Sequence, residues 1–135
     1  VSGSPQSTAA TTAFAAPLTV GIVANAPGEP VDGGQVLFVA PVSGASATLA
    51  TNPATIAGGQ AAVLATANSS IGSYAVTAAA SGASGTTSFA LSNQLLATTT
   101  AISGIAPTAS VVGQPYAVTV AVDQGGSPVT SGTTR

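Results

Sequence analysis

Few side chains in this chain can do chemistry, and their spacing decides what chemistry is open to them. His, Lys and Cys are absent, and the charged side chains are Glu29, Asp32, Asp123 and Arg135. A serine or threonine nucleophile needs a neighbouring base, usually His. Without His or Lys, none of the many hydroxyls here is activated in that way. Glu29 and Asp32 are the one close pair of carboxylates. In a walled cleft such a pair supports glycoside hydrolysis, and with backbone oxygens it makes a weak Ca²⁺ site. Both stand in or beside Ala26-Pro27-Gly28-Glu29-Pro30, a run dense in turn formers, so a solvated turn is the expected setting. Gly58-Gly59 and Gly125-Gly126 have no following Lys and open no helix, so they read as hairpin turns, not phosphate loops. No catalytic, cofactor-binding or metal-binding residue is expected, and the chain is not expected to be an enzyme.

The composition excludes further classes. Charged residues make up 3% of 135, where a soluble domain has roughly 25%. Nucleic-acid binding needs clustered Lys and Arg, and Arg135 is the only basic side chain. Hydrophobic residues are 45%, enough for a small core under a neutral surface of hydroxyls and amides. Without Cys there are no disulfides, thiolates or cysteine metal sites. Mean hydropathy is positive at +0.54, and Ala61–Ala83 is the best candidate span. Asn68, Ser69, Ser70, Gly72 and Ser73 near its centre argue against ~20 residues of hydrocarbon, so no membrane span is expected. Val1 opens no signal peptide, since Met, a basic start and an apolar stretch are all missing, and the chain reads as a piece of something longer.

The elements that must position these residues are strands. Leu18, Val20, Ile22 and Ala24 alternate with Thr19, Gly21 and Val23, a period of two with one buried face. Gln35–Ala40 follows with Val36 and Phe38 inward, and Pro41 ends it. Ala47–Ala50 and Thr55–Ala57 are short and weak. Gln60–Ala67 is apolar on both faces, so its inward side is not assignable. Ser73–Ala79 puts Tyr74, Val76 and Ala78 on one face, and Thr86–Ser92 turns Phe89 and Leu91 inward. Gly, Pro and Asn interrupt every window, and no 3.6-residue period persists. The expected fold is an all-β sandwich over residues 5–93, its core made of Leu18, Val20, Ile22, Val36, Phe38, Tyr74, Val76, Phe89 and Leu91.

The chain also repeats itself. Pro17-Leu18-Thr19-Val20 lies over Pro115-Tyr116-Ala117-Val118, 98 residues apart. At the same offset Gly28-Glu29-Pro30-Val31 meets Gly126-Ser127-Pro128-Val129, and Gly34 meets Gly132. A period near ~100 residues suits one immunoglobulin-like domain and is too long for a solenoid repeat. The expected domains are residues 1–93, a complete repeat, and 94–135, the incomplete opening of a second.

The run Phe14-x-x-Pro17-Leu18-x-Val20, Gly28-x-Pro30-Val31, Val36-x-Phe38-x-x-Pro41, Gly44-Ala45-Ser46-Ala47 resembles bacterial Ig-like domain repeats. Gly72-x-Tyr74-x-Val76-Thr77-Ala78 and Phe89-x-Leu91-x-Asn93 extend the likeness over the first unit, and Ser110-Val111-Val112-Gly113-Gln114-Pro115 resembles the opening of a sister repeat. The resemblance implies an immunoglobulin-like sandwich, in tandem, in a large extracellular or cell-surface adhesin-like protein. Tyr74 matches the corner tyrosine of such sandwiches, whose hydroxyl bonds backbone nearby, here expected near Asn68–Ile71. Val76 stands where antibody domains carry Cys, and Phe38 is the nearest substitute for their core Trp. Asn68-Ser69-Ser70 matches the N-glycosylation pattern; in a bacterial protein it reads as coincidence.

The expected role is a structural spacer or stalk, with neighbouring Ig-like repeats of the same chain as partners. The alternative is an adhesion or self-assembly module, of a filament or matrix, with a homo-polymeric, cell-surface or glycan partner. Two or three strands of a second repeat leave open edges, with Tyr116, Val118, Val120 and Val122 facing water. Those edges would be covered by the rest of the repeat or by strands of a neighbouring subunit.

Overall fold

The computed structural model describes residues 1–103, 119–124 and 127–128, from residue 99 onward by backbone alone. The chain divides into two compact units, Val1–Leu95 and Leu96–Arg135.

Unit 1 is built of strands alone. They are β1 (Gln6–Ala9), β2 (Leu18–Gly21), β3 (Gln35–Val39), β4 (Ala47–Ala50), β5 (Ala54–Thr55), β6 (Gln60–Ala67), β7 (Gly72–Ala80) and β8 (Thr86–Gln94). One sheet has the order β1-β8-β7-β3-β5, the other β2-β6-β4. Only β1 and β8 pair in parallel, Gln6 opposite Leu91 through Ala9 opposite Gln94; all other pairs are antiparallel.

The sandwich closes because both sheets turn alternate residues onto one core. Leu18, Ala61, Val63, Ala65 and Ala67 from the smaller sheet meet Val36, Phe38, Val76, Ala78, Phe89 and Leu91 from the larger. The rings of Phe38 and Phe89 lie 5.9 Å apart, tilted by 37°, within the range where aromatic pairs attract. Of the expected core, Leu18, Val36, Phe38, Val76, Phe89 and Leu91 are buried, while Val20, Ile22 and Tyr74 are half-buried against them. The structure assigns β6, whose faces the sequence left ambiguous: Ala61, Val63, Ala65 and Ala67 point inward, Ala62, Leu64 and Thr66 outward. Ala61–Ala83 is therefore β6, a loop and β7, and no helix long and apolar enough to cross a membrane occurs among the described residues.

Two elements depart from the pattern reading. β1 was not expected, since Gln-Ser-Thr-Ala carries no apolar alternation; its partner β8 makes it a strand. The expected Leu18–Ala24 strand ends at Gly21, although Ile22 N still donates to Gly59 O at 2.8 Å. Side-chain amides finish the ladder where backbone runs out. Gln6 Nε2 donates to Gly3 O and Ala16 O while Gln6 Oε1 accepts from Ala16 N. Asn52 Oδ1 accepts from Phe38 N and its Nδ2 donates to Phe38 O, replacing a strand residue between β4 and β5.

In unit 2, β9 (Thr98–Ser103), β10 (Thr119–Gln124) and β11 (Ser127–Pro128) form an antiparallel sheet of order β11-β10-β9. The expected exposure of Tyr116, Val118, Val120 and Val122 lies outside what is described, as do the positions of Pro115 and Gly132.

Candidate functional site

The two poles of unit 1 differ. At one pole β6 ends, β7 begins and β8 ends; a knot of amides and hydroxyls closes it. At the other, β2 and β7 end while β3, β6 and β8 begin, and it is open.

Asn93 is the centre of the knot. It sits on the inward side of β8 after Phe89 and Leu91, 1% exposed, the one buried polar residue of unit 1. A buried amide must have its bonds made internally. Its Nδ2 lies 3.0 Å from Ser46 O, 2.9 Å from Asn68 Oδ1 and 3.0 Å from Ser70 O. Three acceptors on one side and the Tyr74 hydroxyl donating to Oδ1 at 3.0 Å on the other fix which way the amide faces. Tyr74 thus bonds a side chain, not the backbone of Asn68–Ile71 as expected. The reason is geometric: Asn93 already occupies the Ser70 carbonyl, and Tyr74 reaches the loop through it. Burial pushes the Tyr74 hydroxyl above its usual 10.0.

Asn68 ties the knot to a second loop. Its Oδ1 accepts from Ser46 N and Ser70 N as well as from Asn93, its Nδ2 donates to Gly44 O, and its backbone bonds Thr11 and Ser46. The amide that glycosylation would modify is thus committed to holding two loops together, which gives Asn68 a structural use for its place before Ser69-Ser70. Asn93 appeared in the sequence only as the last residue of the Phe89-x-Leu91-x-Asn93 run. The usable signal was an amide at an inward position of a strand.

The two carboxylates do separate jobs. Asp32 Oδ1 accepts from Gly59 N at 2.8 Å and Oδ2 from Gly58 N at 3.0 Å. It clamps the β5–β6 turn, where both glycines have positive φ, a backbone that favours glycine. Glu29 Oε2 accepts from Ala26 N at 3.3 Å and closes its own turn. Both are exposed. Among the described residues no three His, Cys, Asp or Glu gather to hold a metal.

The open pole carries a cleft of about 470 Å³ between the sheets, lined by Val20, Ile22, Val31, Val36, Ile56 and Ala80, with Glu29 at its rim. Two strand edges border it. Thr19 exchanges both backbone bonds with Ser2, away from β6. By the alternation of an antiparallel ladder, Gly21 points its N–H and C=O the same way. On β8, Ala90 N bonds Ser4 Oγ outward, and Ser88 shares that direction. Asn25, Glu29, Ser81, Ser84, Thr86 and Thr87 line it as well, so its wall is mixed, apolar and polar.

Compared with family models, curated proteins and solved structures, the chain has no match.

Proposed function

We propose that the chain is a structural immunoglobulin-like repeat module, a spacer or stalk within a large bacterial extracellular or cell-surface protein, and that residues 94–135 open a second repeat. The observation carrying this reading is the parallel pair β1·β8. These are the first and last strands of unit 1, side by side and pointing the same way. Tension applied to the two ends of the unit loads their four paired positions together in shear. An antiparallel terminal pair would open one bond at a time. The amide knot adds to this, because it anchors β8 at the end where the chain leaves the unit.

Other features support the role. The strand order sets the first residues beside β2, then beside β8, as in immunoglobulin-like sandwiches. Both turn carboxylates of unit 1 are engaged in holding loops, which suits a load-bearing module with no catalytic work.

Pulling a concatemer of the unit by single-molecule force spectroscopy tests the spacer reading. Ala10 N donates to Gln94 O, so Thr8, two residues earlier, points its N–H at β8 too. Thr8→Pro removes that donor from the shear pair. The unfolding force is expected to fall clearly in Thr8→Pro, and an unchanged force counts against the role.

A further inference from the structure

We propose that β4 is an association edge: two copies of this chain pair antiparallel along it, about a two-fold axis through Thr48, and join their smaller sheets into one.

The ladder with β6 leaves this edge free. Asn68 N donates to Ser46 O, in register with the pairs Ala47–Ala67 to Ala50–Leu64. By antiparallel alternation, Thr48 and Ala50 turn their N–H and C=O toward β6, and Ala47 and Leu49 turn theirs away. Ala65 and Ala67, which face Leu49 and Ala47, bond Phe14 and Thr12 on the far side of β6. Among the described residues no strand lies beyond β4, and no side-chain amide caps it as Asn52 caps Phe38. Natural edges are guarded by Lys, Pro, a bulge or short length. β4, Ala-Thr-Leu-Ala, has neither charge nor Pro, and its register with β6 is unbroken. Shortness is the one guard it has.

The occupant is a second copy because this edge is complementary to itself. Free positions must meet free positions, so Ala47 and Leu49 pair with Ala47 and Leu49. The register that uses both sets Ala47 opposite Leu49 and Leu49 opposite Ala47, each pair exchanging both backbone bonds. On the inner face a small side chain then meets a large one. On the exposed face Thr48 meets Thr48 on the axis, a cross-strand pair that stabilises sheets. Thr66 lies beside Thr48 on β6, so hydroxyls continue on both sides of the seam. No charged side chain occurs between Gly33 and Val122, so like charges do not oppose the approach. The contact is isologous and closes at two copies.

An edge of four residues buries far less than a standard interface, so association is expected at about millimolar concentration. Sedimentation and amide NMR of the 135-residue chain test it. The Ala47 and Leu49 amides should shift with concentration and exchange more slowly as copies pair. Thr48→Glu sets two like charges on the axis and should weaken association about tenfold or more. Its circular dichroism spectrum should be unchanged, because Thr48 is exposed. The chain has no Cys, so Thr48→Cys carries a single thiol. Opposed residues of a non-hydrogen-bonded pair lie about 4.5 Å apart at Cα, within reach of a disulfide. Oxidation should therefore link Thr48→Cys about tenfold faster than Thr66→Cys, which stands one strand further from the axis. Equal rates in the two, a Leu49 amide unchanged at millimolar concentration, or association untouched by Thr48→Glu overturns the proposal. β4 takes no part in the β1·β8 pair, so the pulling experiment on the spacer role is independent of each result.

Discussion

Asn93 and Tyr74 carry more of unit 1 than their size suggests. Replacing Asn93 by Ala leaves the Tyr74 hydroxyl and the Ser70 carbonyl without their shared partner, while Ser46 O keeps its bond from Asn68 N. Unmet polar groups at a buried site cost about 1–3 kcal/mol each before water relieves them. Asn93→Ala is therefore expected to lose about 2–4 kcal/mol in urea unfolding, and a loss under ~0.5 kcal/mol would contradict the knot. Tyr74→Phe removes one bond and should cost about 0.5–1.5 kcal/mol. The same residue sets a pH dependence. Its hydroxyl has a raised pKa in the folded state, so the folded protein holds that proton more tightly than the unfolded chain. The stability tied to it is fully present below the unfolded value near 10 and is lost as pH rises through the folded value. Unfolding midpoints measured between pH 8 and 12 should fall at the alkaline end in the parent and fall less in Tyr74→Phe.

At the scale of elements, β6 is the test of alternation. Its eight residues are nearly all apolar, yet only every second one is buried. Val63, buried, should cost about 1–3 kcal/mol on truncation to Ala, since it leaves a cavity beside Leu18. Leu64, 62% exposed, should accept Thr within about 0.5 kcal/mol. Equal costs at the two positions, read by thermal unfolding, would mean that the register is displaced by one residue. β1 teaches the complementary lesson. Three polar residues and an alanine become a strand because β8 offers a partner edge and the Gln6 amide bridges the turn back toward Ala16.

For the molecule as a whole, neutrality is the governing property. The charges are four in 135 residues, and both carboxylates of unit 1 bond backbone amides instead of ions. Stability should then depend little on ionic strength: urea midpoints in 0.05 M and 1 M NaCl are expected to agree within about 0.5 kcal/mol. A larger change would reveal an ionic contribution that these contacts do not contain. A surface with so little self-repulsion also lets copies approach closely.

The sequence by itself determined the all-β class and most of the core. Alternation on Leu18–Ile22, Val36–Phe38, Tyr74–Ala78 and Phe89–Leu91 is a local property, set by which residues water rejects on a period of two. The same reasoning excluded His-, Cys- and Lys-based chemistry outright, because composition needs no fold to be read. Only the tertiary structure decided the inward face of β6, the existence of β1, the partner of Tyr74 and the use of Asp32. Each of these is a pairing between residues far apart in the chain. Alternation after Phe89 and Leu91 aims Asn93 inward, but the partners that make its burial tolerable, Ser46, Asn68, Ser70 and Tyr74, converge on it only in the fold, and nothing local in the sequence brings them there.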